Sequence, residues 1–203
     1  MGRTQHERKA DTRARLLAAA AELFAEHGVD SVSVDAVAEA AGRTSGAVYA
    51  HFGSKQGLLL ALLDEWKHSL VTVIGAEFEL ASSVEDRLRS VAANVVADPS
   101  EETRRMLLLE QELWLRAARD PEVASALDAR LRDSHERLTR GFAEWIDAGT
   151  IPGGTAASDL ATAFRAVVLG LILQRRVAPE LADVDSAERA MALVLGLQTT
   201  RTD

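Results

Sequence analysis

The chain has no cysteine, four prolines, one tyrosine and only 4% aromatic residues in 203. Each scarcity removes a class of answers. Without cysteine there is no disulfide and no thiolate metal site, and a reducing cytoplasm is the expected compartment. Glycine and proline are too few for a disordered linker, and no internal repeat or low-complexity segment is present. No hairpin dipeptide divides alternating runs, so sheet structure is not expected. The longest apolar run, AVVLGLIL at 166–173, is too short to cross a bilayer. The start, MGRTQHERKADTRARLL, has basic residues but no apolar stretch before a cleavage site. No membrane, metal or cofactor is expected.

What remains is Ala, Leu, Glu and Arg at helical spacing. Hydrophobic residues make up 47% and charged residues 27%, enough for a core in a well-solvated protein of one large or two small domains. Net charge is −8. Residues 1–60 balance seven Lys/Arg against seven Asp/Glu, whereas the remainder holds 16 against 24. An acidic body on a neutral head confines anion binding to the head.

The reading is all-α, with about nine helices. The first, about 11–27, carries Leu16, Leu17, Ala20, Leu23 and Phe24 on one stripe and ends at Gly28. Ser33 caps a short second helix whose Val34, Val37, Ala38 and Ala41 point inward, and Gly42 ends it. Thr44 or Ser45 caps a third, to about residue 50. Ser54 caps a fourth, from Lys55 to about residue 79. Further on, Ser82 and Glu85 suggest a capping box. Pro99 and Pro121 each follow an Asp at a first helical position. The last two helices run over about 156–178 and 185–200. The expected domains are 1–54 and 55–203.

Two short helices joined by AAGRTSG suggest a helix-turn-helix, with Gly42 at the crossing. Val48 and Phe52 pack inward on the third helix, leaving Arg43, Thr44, Ser45, Ala47 and Tyr49 outward. Small polar groups suit base edges, and Ala47 suits a thymine methyl. Tyr49 and His51 reach phosphates, and Lys55 adds its charge at the start of the next helix, where free N–H groups also favour an anion. The arm from Arg3 to Arg13 either enters a minor groove, tracks phosphates or is a solvated tail.

The residues themselves are more specific. ELFAEHGVDSVSV followed by VAEAAGRTSGAVYAHFGSKQGLLLALL resembles the N-terminal DNA-binding domain of the TetR family of bacterial transcriptional regulators, over about 12–63. The resemblance implies that Thr44, Ser45 and Ala47 lie in the major groove of double-stranded operator DNA. It implies that Tyr49, His51 and Lys55 hold phosphates, with Ser33 and Arg43 nearby. Ala50 departs from the polar or basic residue common in relatives, and Gly57 from a commonly acidic one, a change expected to matter little.

In that family the C-terminal helices hold an effector pocket and a dimer interface. Here the helix near 101–119 has Met106, Leu113 and Trp114 on one apolar stripe. Glu110 shares that stripe, and Gln111 lies on a second one; burying either unpaired is costly. The next helix places His135 among Leu138 and Phe142. Glu110, Gln111 and His135 are candidate polar anchors of an apolar pocket, or core groups satisfied by neighbouring helices. The last two helices are apolar nearly all round, which favours burial against a second copy. Phe164, Val168, Leu171, Leu193, Val194 and Leu197 are the candidate interface of a homodimer.

The leading expectation is a dimeric repressor released from a palindromic operator by a small, largely apolar effector. One alternative is a DNA-binding regulator with no small-molecule inducer. The other is an all-α metal-dependent enzyme, for which EWKH sets Glu65 and His68 at di-metal spacing, though no second copy follows.

Overall fold

A computed structural model describes residues 4–97 and 99–197. Among them are nine α-helices and no strand: α1 Gln5–His27, α2 Val34–Ala40, α3 Ser45–Phe52, α4 Lys55–Leu80, α5 Val84–Val91, α6 Glu101–Ala117, α7 Pro121–Asp147, α8 Ala157–Val177 and α9 Val184–Val194. A π-helical turn, Ala92–Ala97, continues α5, and a 3-10 turn, Pro179–Leu181, follows α8. The chain forms two compact units. One is Met1–Leu70 with Glu102–Ala124; the other is Val71–Glu101 with Ser125–Asp203. The joint between α3 and α4, at residues 53–54, lies inside the first unit.

The first unit is built on α1. It starts earlier than its apolar stripe suggests, because Thr4 and Glu7 form a capping box. The Thr4 hydroxyl accepts from Glu7 N–H at 3.2 Å, and the Glu7 carboxylate accepts from Thr4 N–H at 2.7 Å. Arg8, Lys9 and Arg13 are therefore helical and do not form an extended arm; Arg3 lies outside the described residues. Leu16, Leu17, Ala20 and Phe24 are buried with Val29, Val37, Val48, Leu58, Leu59, Leu109 and Leu113. Ser33 caps α2, accepting from Ala36 N–H at 3.1 Å. At the end of α2, Arg43 N–H reaches Ala38 O at 2.8 Å and Gly42 N–H reaches Glu39 O at 2.9 Å. That pair of bonds is a Schellman turn, and it needs the left-handed Gly42, at φ 64°.

The second unit gathers rings. Phe142 meets Trp145 at 5.7 Å and Phe164 at 5.4 Å, and Phe78 meets Trp145 at 6.4 Å. The Arg87 guanidinium lies 5.5 Å from the Trp145 ring centre. Several boundaries differ from the sequence reading. Ser83, one residue later than expected, caps α5, accepting from Asp86 N–H at 3.1 Å. Pro121 does open α7, where Asp120 accepts from Glu122 N–H at 2.9 Å. Pro99 precedes α6 by two residues, and its Asp98 lies outside the described residues. The π turn has a local cause: the Asn94 amide donates to Ser90 O at 3.0 Å and to Glu77 at 2.9 Å, competing with the helix's own bonds. α9 stops at Val194 before a left-handed Gly196 (φ 69°), and residues 198–200 lie outside the described residues. α8 contains an 18-residue stretch of mean hydropathy 1.4, by length and composition enough to cross a bilayer, although no single uninterrupted run is that long.

Gly57 matters more than expected. A Cβ there would lie 2.0 Å from the Phe52 carbonyl oxygen, where α3 closes onto α4. Alanine gains about 1 kcal/mol of helix propensity over glycine, but overpacking costs about 1–3 kcal/mol. Gly57→Ala is expected to lower the thermal midpoint. A raised midpoint would show that the joint opens freely.

Candidate nucleic-acid interface

α3 is short and its outer face is open. Val48 is its one fully buried residue; Tyr49 is 54% exposed, Thr44 and Gly46 are exposed, and Ala47 is half-buried. Thr44 stands at the N-cap with no side-chain capping bond, which leaves its hydroxyl for an outside partner. The Ser45 hydroxyl instead donates to the Asp35 carboxylate on α2, fixing the two helices against each other. Only its acceptor lone pairs remain for a base edge.

Arg43 does not point outward. Its guanidinium donates to Thr12 Oγ1 at 3.2 Å, to Asp11 at 3.2 Å and to Gly42 O at 3.0 Å. It ties the turn back to α1, and Asp11 is held in turn by Arg15 at 3.1 Å. Lys55 is also engaged: its ammonium donates to Asp30 O at 3.3 Å and Val32 O at 2.7 Å. An ammonium has three donors, so one is left for a phosphate. Ser33 is exposed beside this loop, its oxygen already capping α2.

His51 is half-buried at the end of α3, its ring 5.8 Å from that of Phe52. Partial burial lowers its pKa below the usual 6.5, and the charges of Lys9 and Arg13 on α1 lower it further. The Arg13 guanidinium sits 5.0 Å from the Phe52 ring centre. Lys9 and Arg13 thus join His51 at one edge, a grouping hidden as long as they were read as part of an arm. The box Thr4-x-x-Glu7 was the signal that could have placed them. The edge combines two cations, a neutral imidazole and the exposed Tyr49 phenol, which suits a phosphate backbone, next to a helix face with small polar groups.

The other candidate residues fall as follows. In the first unit Met106 and Leu113 are buried, and Glu110, Gln111 and Trp114 are half-buried; the Trp114 indole N–H is buried without a hydrogen-bond partner. In the second unit Phe142 is buried in the ring cluster, and His135 and Leu138 are half-buried. His135 Nδ1 and Thr139 Oγ1, one turn apart on α7, are buried polar atoms without partners. Of the expected interface residues, Phe164 and Leu171 fill the unit's own core, because the inward stripe of α8 meets helices of this same chain. Val168, Val194 and Leu197 are half-buried, and Leu193 is 68% exposed.

A family model described as bacterial regulatory proteins, tetR family, matches residues 16–62, over the reading helices. A second, described as the C-terminal part of BetI-type transcriptional repressors, matches residues 84–198, more than half the chain. The chain belongs to the TetR family of transcriptional regulators. It is 30% identical to the transcriptional regulator TtgR of Pseudomonas putida, over 91% of this chain and 89% of that one. It is 27% identical to the regulator AcrR of Shigella flexneri, over 96% and 92%. A complex of SmeT with triclosan superposes with a TM-score of 0.70 at 26% identity, covering 91% of this chain and 90% of that one. TetR regulators bind operator DNA and act as dimers, and they are not enzymes. Glu65 and His68, exposed on α4, are accordingly not read as a di-metal pair.

Two outcomes are expected of this edge. Lys55→Ala lowers affinity for every duplex and reduces the slope of log K against log salt by about one unit, whereas Thr44→Ala changes which bases are preferred; unchanged slope and preference in binding titrations would remove both from the contact set. The His51 ring titrates by NMR below 6.5 in the free protein and moves up on duplex, since a phosphate favours the imidazolium. Because its folded pKa is lowered, its contribution to stability is complete above pH 6.5 and is lost as pH falls through the folded value.

Proposed function

We propose that this TetR regulator is a cytoplasmic repressor that binds a palindromic operator as a homodimer and is released by a small, largely apolar ligand. The observation that carries the DNA half is the open face of α3, with Thr44, Ala47 and Tyr49 available beside the Lys9, Arg13 and His51 edge. Tyr49, His51, Lys55, Lys9 and Arg13 grip phosphates; Thr44, Ala47 and the Ser45 oxygen meet base edges. Arg43 positions the turn rather than reading a base.

Dimerisation is assigned to the outer faces of α8 and α9. Leu173 and Val177 on α8 and Leu193 on α9 are more than half exposed, and Val168, Val194 and Leu197 flank them. A second copy removes this apolar surface from water. A two-fold dimer carries two recognition helices, suited to half-sites about 34–36 Å apart.

Ligand binding is assigned to the acidic body. On α7, His135 Nδ1 and Thr139 Oγ1 are buried polar atoms awaiting partners, on the helix face that also carries Leu138 and Phe142. A few polar anchors among apolar and aromatic side chains suit a ligand with an apolar body and one or two polar groups. SmeT, described as the repressor of the Stenotrophomonas maltophilia multidrug efflux pump SmeDEF, forms a complex with triclosan, a molecule of that kind.

The test is selection of bound duplexes from a random pool at stated salt, followed by a thermal-shift screen of apolar compounds that includes triclosan. The expected results are a palindrome with half-sites about one helical turn apart and compounds that raise the thermal midpoint while releasing the operator. A pool that stays random defeats the sequence-specific reading. A palindrome that no compound releases favours a regulator without a small-molecule inducer.

A further inference from the structure

Loop 28–32, which feeds α2, is gripped from two sides. From α4, Lys55 donates to Asp30 O and Val32 O. From α6, the Glu112 carboxylate accepts from Val29 N–H at 3.4 Å, and the Arg116 guanidinium pairs with the Asp30 carboxylate. Glu112 and Arg116 are one helical turn apart, on one face of α6. Asp30 is therefore a shared node: its backbone oxygen orients the lysine, and its side chain is held by the arginine.

That node bears on how Lys55 meets DNA. An ammonium is a rotor with three donors, and two fixed carbonyl acceptors leave the third N–H a single direction. Moving the loop re-aims that donor or frees the rotor. The polar part of the α6 grip borders open space. An open cleft of about 510 Å³ lies alongside, bounded by Gly28–Ser31, Gln56, Leu115, Arg119, Asp120 and Val123. Val29 is buried in the same core as Leu109 and Leu113 of α6, whereas the two polar contacts lie at the edge of the cleft. Within the first unit α6 also carries Glu110, Gln111 and the buried, unpartnered Trp114 indole N–H, so the helix with these candidate ligand groups is the helix that holds the loop.

We propose that Glu112 and Arg116 are positioning residues for DNA binding. By holding loop 28–32 at Val29 and Asp30, they aim the Lys55 ammonium at its phosphate, and a displacement of α6 loosens that grip. This rests on the reading of Lys55 as a phosphate contact. It places the exit of the regulatory signal at Asp30.

The test is a double-mutant cycle in the full-length protein on the selected duplex. Arg116→Ala is expected to weaken binding about two- to fivefold, with the thermal midpoint nearly unchanged and the salt slope reduced as in Lys55→Ala. In a Lys55→Ala background the same change is expected to have no further effect. The exchange Asp30→Arg with Arg116→Asp restores part of the lost affinity. Additive losses from Arg116→Ala and Lys55→Ala, or an Arg116→Ala protein that binds as the parent does, would overturn the proposal. If no palindrome is selected, the cycle is run on a random duplex, where phosphates alone hold the protein. Coupling there supports the grip even though sequence-specific reading has failed, and additivity there overturns it. Hydrogen exchange at the Val29 amide reads the loop directly: Glu112→Ala speeds it if the contact holds, and an unchanged rate removes Glu112 from the set.

Discussion

An eight-residue helix does not hold itself together in water, and the reading helix α3 is that short. Its place depends on Val48, which is wholly buried among the apolar residues of α1 and α2. Everything else about α3 follows from that one anchor. Because a single inward side chain suffices, most of its other faces stay free for a duplex. Because one anchor fixes position better than rotation, other bonds have to set the angle. The Schellman turn at Gly42, the Arg43 guanidinium on Asp11 and Thr12, and the Ser45 hydroxyl on Asp35 do so. Three polar braces and one buried valine thus convert a marginal helix into a rigid probe.

Much of this was legible in the sequence because it is local. Ser33, Gly42, Ser54 and Val48 act on their own helices, and a cap or an inward residue needs only its neighbours to be recognised. Arg43 was misjudged because its partners lie 31 and 32 residues away, beyond any periodicity. Ser82 and Ser83 are adjacent and chemically equal as caps, so spacing alone does not choose between them. Thr4 and Glu7 were overlooked for a different reason: a basic run invites reading as a tail, although the capping box was written in it. In the body, helical period marks the apolar faces of α8 but not what they meet. Phe164 and Leu171 were therefore read as facing a partner chain, whereas both are buried within this chain, Phe164 against the Phe142 ring.

Charge is arranged to agree with these contacts. The head balances its charges overall, yet Lys9 and Arg13 stand with His51, while the chain's surplus of carboxylates lies in the rest. A basic edge on the neutral head and an excess of carboxylates in the rest of the sequence suit anion binding confined to the head rather than loose coating. Partial burial and the charges of Lys9 and Arg13 favour the neutral form of His51, so it completes that edge without adding a third permanent cation.

The division into compact units cuts across the order of the chain. Residues 102–124 come long after the reading helices and yet belong with them, and Glu112 and Arg116 reach the loop ahead of α2. For anyone building chimaeras, the transplantable head is therefore discontinuous. A graft of the first 54 residues onto a foreign body would leave Lys55 behind and deprive loop 28–32 of its arginine and glutamate. A graft that carries α6 along would bring Glu110, Gln111 and Trp114 with the head, so the part that is moved would no longer be the first 54 residues alone.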